Sequence, residues 1–296
     1  MKMLTIFTPT FNRAYCLHHC YESLKRQTSK DFVWLIIDDG STDYTPSLVK
    51  SWIGENMIEI KYIQQPNQGM HGAHNTAYNN IDTELNVCID SDDYMPDDAV
   101  EKIINYWIIN GSKKVSGIIG LDSDTNGQII GSRLPDQLKK SSLFDLYNKH
   151  GVKGDKKLVY RTEVSKKYPY PIFKGEKYVG LAYKYYKLDE EYEMLLFNEV
   201  LCCVEYLEDG SSRNMLNQYR KNPKGFAFYR KELMNLKSAN LGFKYRQCIH
   251  YVSSSLLYKN SKFIYETPNK FLTILALPLG IALYFHILFK TATSDY

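Results

Sequence analysis

Asp90, Asp92 and Asp93 stand within four residues of one another, directly after the run Leu85-Asn86-Val87-Cys88-Ile89. Carboxylates this close repel one another, and they become useful around a hard divalent cation, which prefers oxygen ligands. A second acidic pair opens Asp38-Asp39-Gly40-Ser41-Thr42-Asp43 behind the apolar run Phe32 to Ile37. A third polar stretch, Thr8-Pro9-Thr10-Phe11-Asn12, closes the apolar run that begins at Leu4. The alternative for the acids at 90–93 is a solvated turn that leads into the next helix, with Asp97 and Asp98 in its first turn.

The elements that would carry these groups alternate. Strands are expected at Leu4 to Thr8, Phe32 to Ile37, Ile58 to Ile63 and 85–89. Helices are expected at Tyr15 to Gln27, Thr45 to Trp52, Gly69 to Asn80 and Asp97 to Asn110. Such alternation implies a parallel sheet with crossover helices, and open parallel sheets bind ligands at the carboxyl ends of their strands. After about residue 112 the pattern fades. Val115 to Gly120 reads as one more buried strand, and 121–175 reads as loop-heavy. Leu195 to Leu207 reads as one or two strands or a helix, and Gly225 to Lys259 as two basic amphipathic helices.

The chain of 296 residues has 44% hydrophobic and 24% charged residues, ordinary values for a globular protein with a sizeable core. Its six cysteines are scattered without Cys-x-x-Cys or His spacing, which argues against a disulfide framework or a zinc site. Met1 to Thr8 enters a strand directly, so no signal peptide is expected. Charge is graded. Residues 1–100 hold 14 acids against 7 Lys and Arg, a net of −7, whereas 216–270 hold 11 Lys and Arg against 2 acids, a net of +9. A basic carboxyl-terminal third suits a polyanion, nucleic acid or an anionic membrane.

The three polar strand ends together suit a nucleotide. Pro9 and Phe11 offer an apolar surface to a base, Asp38 or Asp39 an acceptor for a base N–H, and a metal on Asp92 a partner for a diphosphate. No Gly-x-x-x-x-Gly-Lys-Ser/Thr loop and no Gly-x-Gly-x-x-Gly helix start is present, which disfavours an ATPase or a dehydrogenase.

Pro9-Thr10-Phe11-Asn12, Asp38-Asp39-Gly40-Ser41-Thr42-Asp43 and Asp90-Ser91-Asp92-Asp93, in this order and each after a strand, resemble a family-2 glycosyltransferase of GT-A fold. That is an α/β fold with a mainly parallel central sheet flanked by helices, extended here by a basic helical carboxyl-terminal region. Gly154-Asp155-Lys156, Tyr160-Arg161-Thr162, Gly175-Glu176-Lys177-Tyr178, Asp209-Gly210-Ser211-Ser212 and Asn222-Pro223-Lys224-Gly225-Phe226 resemble the bacterial capsule and exopolysaccharide branch. The resemblance covers roughly residues 1–230.

It implies inverting transfer of a sugar from a UDP-sugar to an acceptor hydroxyl, assisted by Mn²⁺ or Mg²⁺. Pro9, Thr10, Phe11, Asp38, Asp39 and Asp90 would bind the nucleotide, and Asp92 the metal. Glu176 falls at the family's catalytic base; the alternative is a surface carboxylate between Lys174 and Lys177. Asp189, Glu190 and Glu191 form a rival acidic cluster that reads as a solvated helix face. His71, Asp93, Asp155 and Arg161 are candidates for the donor or acceptor sugar. His71 alternatively packs its helix, and Asp155 and Arg161 could simply pair with each other. Two departures from relatives are Met70, where a Lys is common, and Gly180-Leu181, where Pro-Glu is common.

Residues 271–289 contain no Asp, Glu, Lys or Arg and are flanked by Lys270 and Lys290. A bilayer-dipping anchor, a true span broken by Pro278 and Gly280, and a buried helix of the soluble fold are the three readings. The division expected is 1–112 for the nucleotide-sugar half, 113–215 for the acceptor and catalytic half, and 216–296 for the basic region. The expected setting is the cytoplasmic face of the cell membrane, with a lipid-diphosphate-linked glycan as acceptor. A silent nucleotide-sugar-binding subunit and, less well supported, a nucleic-acid-binding protein are the rivals.

Overall fold

A computed structural model describes residues 2–205 and 215–292. The Asp209–Ser212 turn lies outside the described residues. The chain folds as two compact units, one formed by Met1–Pro169 with Glu191–Leu207, the other by Tyr170–Glu190 with Glu208–Tyr296.

The first unit is built on an eight-stranded sheet. Its elements in chain order are β1 (Leu4–Thr10), α1 (Leu17–Arg26), β2 (Phe32–Asp38), α2 (Thr45–Glu55), β3 (Ile60–Gln64), α3 (Met70–Asn80), β4 (Leu85–Cys88), α4 (Ala99–Asn110), β5 (Val115–Ser123), β6 (Lys140–Ser141), α5 (Leu143–Asn148), β7 (Lys156–Arg161) and α6 (Thr162–Ser165). After an excursion through α7 (Ala182–Asp189), the chain returns as β8 (Glu193–Cys203). The strand order is β3-β2-β1-β4-β7-β5-β8-β6.

Strands β1 to β4 run parallel, with Thr10 beside Asp38, Asp38 beside Gln64 and Phe7 beside Cys88. Every residue of β1 and β2 is buried, as expected of parallel strands covered on both faces. Tyr21 of α1 stacks on Trp52 of α2 at 4.3 Å, and Trp34 of β2 lies 6.0 Å from Tyr21. The Trp34 indole N–H donates to Thr8 Oγ1 at 2.9 Å, which satisfies its one buried polar atom.

Two strands of this sheet differ from the sequence expectation. Residues 121–175 are not simply loop: β7 runs antiparallel between β4 and β5, at the middle of the sheet. The ambiguous Leu195 to Leu207 segment is one long strand, β8, over its described part.

The second unit is helical: α7, then α8 (Met215–Lys221), α9 (Pro223–Asn235), α10 (Leu241–Leu257), α11 (Phe263–Glu266), α12 (Lys270–Leu275) and α13 (Leu277–Ala292). Its core gathers Ala227, Met234, Cys248, Tyr251, Val252, Phe263 and Ala276. Asn240 caps α10 by accepting from Phe243 N–H at 2.8 Å, and Asn269 caps α12 through Leu272 N–H at 3.1 Å.

The uncharged 271–289 segment is therefore two helices. Pro278 sits in the first turn of α13, where a missing N–H is harmless. Gly280 lies against α10 so closely that a Cβ there would stand 2.5 Å from Val252 Cβ. No helix among the described residues is long and apolar enough to cross a membrane.

Candidate active site

In the first unit, parallel strands bring their carboxyl ends to one edge of the sheet. β1 ends at Thr10, β2 leads into Asp38 and Asp39, and β4 leads through Ile89 into Asp90. Asp39 N–H donates to Thr10 O at 2.8 Å, and Ile89 N–H to Phe7 O at 3.0 Å, so the three ends are joined backbone to backbone.

The loops above this edge are laced together. Asn12, at φ 53°, accepts from Thr42 N–H at 2.8 Å, while its own N–H donates to Ser41 Oγ at 2.9 Å. Asp38 is fully buried, accepts from Ser41 N–H at 2.7 Å, and also accepts the Tyr62 hydroxyl. Asp39 accepts from Gln65 Nε2 at 2.7 Å, Gln68 N–H at 2.8 Å and Gly69 N–H at 2.7 Å. A carboxylate has about four acceptor positions. Asp38 therefore retains capacity for a base N–H while holding its loop, and Asp39 fixes the loop that opens α3. Thr10 Oγ1 is buried without a hydrogen-bond partner among the described residues, and an orphaned hydroxyl at such an edge suits a ligand. Pro9 is buried and Phe11 is exposed.

The acids at 90–93 divide. Asp90 and Asp92 are half-buried. Asp93 is only 3% exposed and faces inward, toward Cys202 Sγ at 3.7 Å, Lys157 Nζ at 3.9 Å and Glu205 N–H at 3.3 Å. Asp122 lies 3.9 Å from the same ammonium. Burial pushes Asp93 up to about 8, against Lys157 and with help from Asp90, Asp92 and Asp122. Burial pulls the Lys157 ammonium down, but the groups around it, Asp122 foremost, outweigh burial and hold it well above the usual lysine range. Lys157 is thus a buried cation behind the acid turn, and it was missed in the sequence because lysine is ordinarily solvated.

Mg²⁺ is typically held by one or two carboxylates together with substrate phosphates and water. Asp92 with Asp90 fits that donor set. No group of three or more His, Cys, Asp or Glu side chains among the described residues could hold a metal through protein ligands alone.

Three of the sugar candidates are not brought to an open surface beside these acids. Asp93 faces inward, as above. His71 is 1% exposed within α3. Arg161 pairs in register with Leu85, at the opposite end of β4 from Asp90. Its guanidinium donates to Val115 O at 2.7 Å and Lys113 O at 2.9 Å and pairs with Glu163. Asp155 precedes β7 and Arg161 ends it, so the two do not pair; Asp155 lies at the Asp122 end, where its charge acts on Asp122.

Glu176 belongs to the second unit. It is 8% exposed, so it is not a solvated surface carboxylate between Lys174 and Lys177. Its Oε1 accepts from Lys224 N–H at 3.0 Å and its Oε2 from Gly225 N–H at 2.7 Å, at the start of α9. Asn222 Oδ1 accepts from Lys177 N–H at 2.6 Å, which fixes the same two segments. Gly225 is required here, since a Cβ would meet Tyr178 O at 2.1 Å. The rival acids are engaged elsewhere: Glu191 pairs with Lys167 at 2.6 Å, and Glu190 accepts from Lys237 N–H at 2.6 Å.

The family model described as Glycosyl transferase family 2 matches residues 5–168, more than half of the chain. The chain belongs to this family. This family-2 member is 35% identical over 107 residues to glycosyltransferase GlyA of Streptococcus pneumoniae, a match covering 35% of this chain and 15% of GlyA. It is 30% identical over 126 residues to the poly(ribitol-phosphate) beta-N-acetylglucosaminyltransferase TarP of Staphylococcus aureus, covering 41% of this chain and 38% of TarP. The chain thus matches well under half the length of either relative. Among solved structures, S. aureus TarS 1–349 in complex with UDP-GlcNAc superposes with a TM-score of 0.62 at 18% identity, covering 95% of this chain and 81% of that one. A Pyrobaculum calidifontis mannosyltransferase in complex with GDP-Man and Mn²⁺ gives a TM-score of 0.56 at 17% identity, covering 98% and 75%. The fold of this family-2 chain is the α/β GT-A fold expected from its sequence.

Proposed function

We propose that this chain transfers a sugar, with inversion, from a UDP-sugar to a hydroxyl of a lipid-linked glycan in bacterial surface-polysaccharide synthesis. The observation that carries the reading is the convergence of Thr10, Asp38, Asp39, Asp90 and Asp92 on one carboxyl edge of parallel strands. Thr10, Asp38 and Asp39 would bind the nucleoside, with Phe11 and Pro9 against the base. Asp92, with Asp90 beside it, would hold Mn²⁺ or Mg²⁺, which supplies Lewis-acid neutralisation of the leaving diphosphate. TarS in complex with UDP-GlcNAc, of the same fold, supports the choice of UDP. The direct test is the melting temperature with UDP and Mn²⁺. Ligand at 100 times its Kd stabilises by about 2.7 kcal/mol, and no shift with any nucleotide and divalent cation would sink the reading.

Glu176 would take the acceptor proton as the hydroxyl attacks the anomeric carbon. Each of its oxygens binds one backbone N–H and keeps a second lone pair. Glu176→Gln is expected to lower transfer about 10²–10⁴-fold while the UDP melting shift persists. A loss of transfer that merely follows a lowered melting temperature would make Glu176 a helix cap, and a silent binding subunit would then be the better reading.

The membrane reading rests on α12 and α13. Phe271, Ile274, Leu275, Leu279, Phe285 and Phe289 are all more than half exposed, between Lys270 and Lys290. An apolar row with basic flanks is a two-signal attachment to an anionic leaflet, where each Lys or Arg contributes about 1 kcal/mol. Truncation near Asn269 would remove Ala276 and Gly280 from the surface of α10 and damage the core, so point changes are the cleaner test. Phe285→Ser with Phe289→Ser should reduce sedimentation with phosphatidylglycerol vesicles at least tenfold without lowering the melting temperature. Unchanged sedimentation would remove this face from the membrane.

A further inference from the structure

The second unit carries a cluster of cations that the proposed chemistry does not use. Arg230 of α9 donates from Nη1 to Gln247 Oε1 at 2.9 Å and from Nη2 to Tyr219 OH at 3.3 Å. Its Nε is buried and has no hydrogen-bond partner among the described residues. Its guanidinium lies 4.9 Å from the Tyr229 ring centre. His250 of α10 lies 5.8 Å from the Tyr219 ring, and Arg246 precedes it by one helical turn.

Among the described residues no acid forms an ion pair with Arg230, Arg246 or His250. Three acids of the same unit have other partners: Glu232 pairs with Lys187, Glu266 accepts from Asn260 and Glu176 accepts from the start of α9. Burial, then Arg230 and Arg246, push the His250 imidazole down to about 4, so it is neutral at pH 7 in a positive local field. Two guanidinium groups without a counter-ion among the described residues, one of them with a buried N–H unmet there, are the groups that recognise phosphate oxygens.

The cluster is joined to Glu176 by aromatic contacts. Tyr178, two residues on, stacks on Phe226 at 4.8 Å, and Phe226 meets Tyr219 edge-on at 4.4 Å. Tyr219 in turn touches Arg230 and His250. The nucleotide candidates all belong to the first unit.

We propose that Arg230, Arg246 and His250 form a subsite for a phosphate group of the acceptor, either the diphosphate of a lipid carrier or a phosphodiester of a polymer chain. The proposal rests on the transferase reading above for the word acceptor, but not for the binding of phosphate. Its test is calorimetric titration of the full chain, in EDTA, with pyrophosphate and with a short glycerol-phosphate oligomer. At least one probe is expected to bind, more weakly as KCl is raised. Arg246→Gln, on an exposed side chain, and Arg230→Gln should each weaken that binding tenfold or more, while the UDP and Mn²⁺ melting shift stays as in the wild type. Tighter pyrophosphate identifies the lipid-diphosphate source, and a tighter oligomer identifies the chain. If neither probe binds the wild type, or if both variants bind as it does, the subsite is overturned. If the probes behave as expected but UDP gives no shift, the phosphate site stands and the donor assignment falls, so the two failures are told apart.

Discussion

Asp92→Asn is expected to abolish the melting shift given by UDP with Mn²⁺ and to lower sugar transfer by about a thousandfold or more. The amide keeps the shape and one carbonyl oxygen but removes the charge that a hard cation prefers. Lewis-acid stabilisation of a leaving group is worth several kcal/mol, and about 4 kcal/mol corresponds to a factor near a thousand. For a unit of this size, 1 kcal/mol moves the melting temperature by about 2–4 °C, so losing a shift of about 2.7 kcal/mol is readily seen. Asp90→Asn is the companion. If Asp92→Asn keeps the full Mn²⁺-dependent shift and Asp90→Asn loses it, the metal role belongs to Asp90.

Lys157→Met should destabilise the first unit by about 3–5 kcal/mol, the usual consequence of removing one partner from a buried charge cluster. Methionine fills a similar volume, so the loss is electrostatic rather than a cavity. Asp93 and Asp122 would be left buried without the cation that offsets their desolvation. The melting temperature should fall by about 6–20 °C. Adding Asp122→Asn should recover part of that fall, because neighbours in one network are not additive. A Lys157→Met protein that melts within about 1 kcal/mol of the wild type would show that the cluster does not hold the acid turn.

The amino-terminal strands were legible because their apolar runs are continuous and end in polar residues. Phe32 to Asp38 is buried throughout and reads that way in one dimension. β7 did not, since Lys156-Lys157-Leu158-Val159-Tyr160-Arg161 has three cations in six residues. Each is met by partners that the strand pattern does not announce: Lys156 by the carbonyls of Ile130, Lys153, Gly154 and Asp155, Lys157 by Asp93 and Asp122, Arg161 by Glu163 and the carbonyls of Lys113 and Val115. That information is tertiary and no periodicity carries it. The same reason applies to Asp93. Sequence places it beside Asp92, but only the inward turn toward Cys202 and Lys157 separates a structural acid from a candidate ligand. The 271–289 stretch was legible as apolar, and its division into a packed side and an exposed side was not.

The late return of β8 sets the order in which the chain can finish folding. β8 pairs with β5 along one side and β6 along the other. Its far end holds the acid turn through paired backbone bonds between Tyr94 and Cys203, at 3.1 and 2.7 Å. During synthesis the first unit therefore cannot close until residues past 203 have emerged, well after its other strands. A fragment ending at residue 168, where the family match stops, would leave one side of β5 unpaired and the turn at 90–94 without its clasp. An unpaired buried strand is a template for association with other chains, so such a fragment should aggregate during expression, whereas one carried through Glu205 retains the strand that seals the sheet.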